Sequence, residues 1–207
     1  MRIVRLWLAI ALLIPCCGFA NAASKGTTNE TTTLSDGHTF QTELNRITNL
    51  RLHLRDGDFR IVASDSDDIT IRTDGKNLPL ARKVKMHLER TGDSLNITFS
   101  QVPKKDCQIT IAVPREINLY ARMRAGDLSV DGVAGDKDLE LWAGDLSVQV
   151  PDVADYGPVD LSVRFGDVSG SQFGNPKGMM GNSLKRDGNG KYRLHAHVFA
   201  GDLTLRP

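Results

Sequence analysis

One phrase recurs along this chain: an alternating strand, then Gly-Asp, then Leu-Ser-Val or a near copy. It reads RAGDLSV at 124–130, WAGDLSV at 142–148, RFGDVSG at 164–170 and FAGDLTL at 199–205. A weaker copy, RDGDFRI, stands at 55–61. The strongest constraint is the change of parity across each Gly-Asp. Leu139, Leu141 and Ala143 are odd, whereas Leu146, Val148 and Val150 are even. The same switch separates Leu119, Ala121 and Met123 from Leu128 and Val130, and Leu194, Ala196 and Val198 from Leu203 and Leu205. A one-residue slip normally turns a strand's apolar face to water. Here it recurs at the same place in every copy, so the backbone must bend there. Glycine supplies the positive φ of a bulge or corner, and aspartate caps nearby backbone N–H groups. The expected corners are Gly57, Asp58, Gly126, Asp127, Gly144, Asp145, Gly166, Asp167, Gly201 and Asp202.

Period two governs the rest of the chain. Leu50, Leu52 and Leu54 alternate with polar residues, as do Ile69 and Ile71, Val84, Met86 and Leu88, and Leu95, Ile97 and Phe99. Such alternation, bounded by Gly, Asp, Asn and Pro, marks half-buried strands. Strand, corner, strand and turn, repeated, make a coil. Gly126, Gly144 and Gly166 are spaced by 18 and 22 residues, about one rung of a β-solenoid at roughly 20 residues per repeat. The expected fold is therefore all-β: a single-stranded, β-helix-like solenoid with short rungs and no substantial helix. Gly201 follows after 35 residues, and the Gly/Asn/Met-rich segment 173–190 in that gap reads as an excursion from the coil.

The start of the chain has another character. Arg2 and Arg5 precede a short apolar run, Pro15 and Gly18 break it, and Ala20-Asn21-Ala22 is a small-x-small cleavage site. Residues 1–22 thus read as a signal peptide, with lipidation at Cys16 or Cys17 as the alternative. Residues 23–37 are rich in Thr, Asn and Ser and read as a disordered tether. Residues 38–207 form the expected domain. The expected location is outside the cytoplasm: periplasm, extracellular space or cell envelope, with no membrane span after cleavage. Without Arg2 and Arg5 the remaining chain carries 24 basic and 25 acidic residues. That balance offers no electrostatic footprint for nucleic acid. Cys107 is then the single cysteine and can form no internal disulfide. It reads as a small apolar side chain at a strand start.

The order of pieces from residue 40 to 207 resembles the bacterial putative-adhesin family of unknown function, the head GIN-like β-solenoids of DUF4097/DUF2807 type. The resemblance rests on LRLHLRDGDFRI, the Ile-x-Val-Pro strand end at 111–114, INLYARMRAGDLSVDGVAGDKDLELWAGDLSV and RLHAHVFAGDLTL. It implies an extracytoplasmic β-solenoid without established catalysis.

No residue set announces catalysis, a metal or a cofactor. There is no Gly-x-Ser-x-Gly elbow, no His-Glu-x-x-His and no phosphate-cradling Gly-rich loop. His195 and His197 share one strand face and would need a third ligand to hold zinc. The 65–68 cluster DSDD lacks the frame of a calcium loop. Stacked corner aspartates would repel unless capped, interleaved with cations or bridged by calcium. A set of outward residues near the corners, Arg122, Arg124, Trp142 and Arg164, forms the expected binding face. The principal expectation is a non-enzymatic binding or structural protein of the envelope, with a polysaccharide or protein partner. A carbohydrate-active enzyme on a β-helix and a calcium-stabilised solenoid remain alternatives.

Overall fold

A computed structural model describes residues 27–33, 39–43, 47–74, 83–104, 106–174, 177 and 182–207. The expected leader at 1–22, with Cys16 and Cys17, lies outside them. The described residues are all-β, with two short 3-10 turns at Val153–Asp155 and Ser171–Phe173. No described helix is long and apolar enough to cross a membrane.

Each Gly-Asp phrase joins a strand of one sheet to a strand of a second. The pairs are β3 (Asn49–Asp56) with β4 (Asp58–Ser64), β9 (Asn118–Ala125) with β10 (Leu128–Asp131), and β11 (Lys137–Ala143) with β12 (Leu146–Gln149). Two more are β13 (Tyr156–Phe165) with β14 (Val168–Ser169), and β16 (Tyr192–Ala200) with β17 (Leu203–Arg206). Inward residues of both sheets meet in one apolar core that includes Leu52, Ile61, Leu141, Val148, Val198 and Leu203. The parity switch is what lets both strands of a pair face that core.

The remaining strands are β1 (Thr27–Thr33), β2 (Thr39–Glu43), β5 (Asp68–Asp74), β6 (Lys85–Thr91), β7 (Ser94–Ser100), β8 (Gln108–Pro114) and β15 (Asn182–Arg186). The nine-stranded sheet runs β1-β6-β7-β3-β9-β11-β16-β13-β15, and the eight-stranded sheet β14-β17-β12-β10-β4-β8-β5-β2. Both are open and mixed. The nine-stranded sheet is parallel from β7 to β13 and antiparallel at both flanks. The eight-stranded sheet is parallel from β14 to β8 and antiparallel only at its β5 and β2 flank.

This arrangement departs from the expected stack in three ways. First, the rungs do not follow chain order: β16/β17 lies between β11/β12 and β13/β14. Parallel neighbours offer the same hydrogen-bond ladder and similar Leu/Val faces, so glycine spacing alone cannot choose between adjacent slots. Second, β7 and β8 occupy neighbouring positions in the two sheets, next to β3 and β4, without a Gly-Asp corner. Gln101 and Asp106 in their connection take positive φ of 59° and 58°. Third, the 173–190 segment is not wholly an excursion, because β15 within it pairs antiparallel with β13.

The tether also needs correction over part of its length. Residues 27–33 form β1, which pairs with β6 along its whole length. A threonine-rich segment has strong strand propensity, and an edge strand can gain backbone hydrogen bonds without an apolar face. Absence of apolar residues therefore imitates a linker.

At the corners the glycines form a column through Gly57, Gly126, Gly144, Gly201 and Gly166. Gly126 N–H donates to Ala143 O at 2.9 Å, Gly144 N–H to Ala200 O at 2.9 Å and Gly201 N–H to Phe165 O at 2.9 Å. The aspartates form a second ladder. The N–H of Asp202 donates to Asp145 Oδ1 at 3.1 Å, and that of Asp167 to Asp202 Oδ1 at 2.9 Å. Asp145 N–H reaches Asp127 Oδ1 at 3.4 Å. Each of these carboxylates thus caps the next rung, which offsets the repulsion of stacked charges.

Asn182 ends this ladder. Its Nδ2 donates to Asp167 Oδ1 at 2.7 Å and approaches Gly166 O at 3.4 Å. Asn182→Ala should cost about 0.5–1.5 kcal/mol, the usual net worth of such a bond. At about 2–4 °C per kcal/mol for a chain of this size, calorimetry should show a modest fall in melting temperature. An unchanged value would mean that water replaces the amide at no cost.

Candidate functional site

The outer face of the nine-stranded sheet collects the residues two places before each corner glycine. These are Arg55, Arg124, Trp142, Arg164 and Phe199. Strand register sets them side by side in the order Arg55, Arg124, Trp142, Phe199, Arg164. One repeat position therefore builds one transverse row: aromatic at its centre, cationic on both sides.

Trp142 is 59% exposed. Its indole stacks on Phe199 with centroids 4.0 Å apart and planes 5° from parallel. Phe165 meets Phe199 edge-on at 5.4 Å, and the Arg164 guanidinium lies 5.8 Å from the Phe199 ring. With Phe199 on one face of Trp142, the other face is turned toward β9. There an open groove of about 540 Å³ is lined by His53, Arg122, Arg124, Glu140, Trp142 and His197, among others.

Ion pairs hold the arginines and keep the groove open. Arg124 Nε donates to Asp56 Oδ1 at 2.8 Å, and its Nη2 pairs with the other carboxylate oxygen. Asp56 lies on β3, so the guanidinium is drawn away from Trp142. The Arg124 hydrogen bond holds the Asp56 carboxyl below its ordinary range, against the effect of burial. Arg122 forks to Asp138 at 3.1 and 3.3 Å and reaches Glu140 Oε2 at 2.8 Å. Its guanidinium also lies 3.8 Å from the Tyr120 ring centroid. His195 Nδ1 sits 2.8 Å from Asp138 Oδ1. Burial alone would push the Asp138 carboxyl up, but hydrogen bonds from Arg122 and His195 outweigh it and hold the group low. His197 Nδ1 contacts Ser162 Oγ at 2.8 Å.

The structure thus brings Arg122, Arg124 and Trp142 to one groove and places Arg164 in the same row, beyond Phe199. His195 and His197 share the outer face, each bonded to a different neighbour. Sequence reading passed over the Trp142–Phe199 stack, although its signal was present: WAGD and FAGD put both rings at one repeat position.

Sequence reading also passed over Lys137. It occupies an inward position between Leu119 and Leu194 in adjacent strands and is 0% exposed. Its Nζ donates to the Tyr156 hydroxyl and reaches Gly135 O at 3.4 Å. Burial lowers its pKa to about 7, with Asp136 opposing the shift, and burial pushes the Tyr156 hydroxyl up. Its parity with Leu139 and Leu141 was the available signal.

No protein-family model matches the chain, and no curated protein matches it. Among solved structures, a "putative cell adhesion protein" from Clostridium sporogenes is similar, with 13% identity and a TM-score of 0.51. The match covers 87% of this chain and 99% of that one. A "putative adhesin" from Bacteroides fragilis matches at 9% identity over 88% of this chain and 98% of that one, with a TM-score of 0.29. The second likeness is too slight to bear on the fold; the first shows a fold held in common with that "putative cell adhesion protein".

Proposed function

We propose that this chain is an exported, envelope-associated binding protein of the adhesin-like, head GIN-type class, with a solenoid-like stack as its scaffold. The groove beside Trp142 is its contact face. The observation that carries this reading is a large aromatic ring left 59% exposed on a rigid sheet, beside arginines already oriented by carboxylates. Exposed aromatic and arginine side chains are the residue types that dominate binding energy at interfaces. The shared fold with a "putative cell adhesion protein" agrees with a surface role.

A non-enzymatic role fits the charges. Glycoside cleavage commonly needs one carboxyl group kept protonated by a raised pKa. Here Glu140 pairs with Arg122, Asp56 with Arg124, and Asp138 with Arg122 and His195. Those partners hold the Asp56 and Asp138 carboxyls low, in the ionised form.

Binding of labelled mature protein to isolated bacterial envelopes tests the proposal. Trp142→Ala should weaken binding by about tenfold or more, as expected for an aromatic anchor, with little change in melting temperature. Wild-type protein should release no reducing sugar. Equal binding by the variant, or steady release of reducing ends, would contradict the reading.

A further inference from the structure

We infer that the groove takes an acidic polysaccharide, one sugar ring lying against the free face of Trp142. The inference rests on the binding-face reading above and names its ligand class. The transverse row presents Arg55, Arg124, Trp142, Phe199 and Arg164. Arg124 has Asp56 as its counter-charge, whereas Arg55 and Arg164 have no ion-pair partner among the described residues. The row is therefore cationic on both flanks of an aromatic centre. From Arg55 to Arg164 is four strand spacings, about 19 Å at about 4.8 Å each. That span suits an extended oligomer of a few sugars carrying repeated carboxylates.

The faces of the ligand follow from the groove. The apolar C–H face of a pyranose stacks on the indole, while hydroxyls meet the polar rim of Glu140, His53 and His197. Carboxylates on neighbouring sugars meet guanidinium groups, the geometry arginine favours for forked hydrogen bonds. A nucleic acid would also stack and pair with arginine, but the near-neutral mature chain supplies no broad positive field to draw one in.

Trp142 is the single tryptophan once the expected leader is removed, because the other is Trp7. Its fluorescence therefore reports on the groove directly. Mature protein would be titrated with tetragalacturonate, with its full methyl ester and with an oligothymidylate of similar length. Saturable change with tetragalacturonate is expected, weakened about tenfold or more by esterification, since each lost charged contact is worth about a few-fold. Arg164→Gln should weaken binding several-fold without altering the melting temperature, and added salt should weaken it further. Equal affinity for the ester, or tighter binding of oligothymidylate, would overturn the acidic-polysaccharide inference and leave the binding face standing. No response to any of the three, with envelope binding still sensitive to Trp142→Ala, would overturn the inference alone. Loss of that sensitivity as well would overturn both.

Discussion

Gly144→Ala is expected to destabilise the protein by about 3–5 kcal/mol, the range of a severe single substitution, out of a total of about 5–15 kcal/mol for a typical domain. Two costs add. Gly144 has φ of +125°, a region where a side chain costs about 1–3 kcal/mol. A Cβ there would also overlap the carbonyl oxygen of Gly126 in the next rung. That carbonyl belongs to the stacked column and cannot withdraw without pulling rungs apart. Gly174 separates the two effects. Its φ is +119°, but an added Cβ would meet only a Leu184 methyl at 3.9 Å. Gly174→Ala should therefore pay the conformational cost alone, about 1–3 kcal/mol. Chemical denaturation of both variants measures the difference. Equal losses would mean that close stacking of the corners adds nothing.

Lys137→Met should stabilise the protein at pH 7 and remove most of a pH dependence that the wild type shows above it. The unfolded chain keeps Lys137 protonated up to its ordinary value of 10.5, whereas the folded chain releases the proton at about 7. Between those values the unfolded state binds more protons, so wild-type stability rises with pH. Above about pH 10 the buried Tyr156 acts in the opposite direction. Its hydroxyl is harder to ionise when folded, so the unfolded state loses that proton first and stability falls again. The lysine contribution approaches about 4–5 kcal/mol at most, at about 1.4 kcal/mol per pH unit. Methionine fills a similar volume between Leu119 and Leu194 without a charge to desolvate. Apolar replacement of buried charged groups ranges from neutral to a gain of about 1–4 kcal/mol in buried ion pairs, and Lys137 has no ion-pair partner among the described residues to lose. The Tyr156 hydroxyl still has Val133 O at 3.5 Å. Denaturation midpoints from pH 6 to 10 should rise in the wild type and stay flat in the variant. A flat wild-type profile, or a variant less stable at pH 7, would contradict the burial of this amine.

Much of this architecture is legible in the sequence because a corner leaves two independent marks. Gly-Asp names the place, and the parity switch names the consequence; the burial alternation of β11 and β12 carries both. Less legible is whatever leaves one mark or none. The step from β7 to β8 turns without a glycine, through Gln101 and Asp106. The position of β16 between β11 and β13 is decided by which neighbour a strand meets, and Leu139 and Leu141 on one side present much the same surface to it as Leu161 and Val163 on the other. β1 earns its place by backbone bonding at an edge, which hydropathy does not register.

The groove was half legible. Outward parity identified Arg122, Arg124, Trp142 and Arg164, but stacking across strands requires knowing that Phe199 lies beside Trp142. With the rungs in chain order, Arg164 would have stood there instead. The exchange of the last two rungs is what creates the aromatic pair, and with it the covered and free faces of the indole.

The most direct test is a backbone amide NMR spectrum of residues 23–207 titrated with solubilised bacterial envelope polysaccharide. Shifted resonances should cluster at residues 53–55, 122–124, 140–142 and 197–199, around the free face of Trp142. Shifts confined to the outer face of the eight-stranded sheet, or to the edge strands β1 and β15, would place the contact surface elsewhere and contradict the groove.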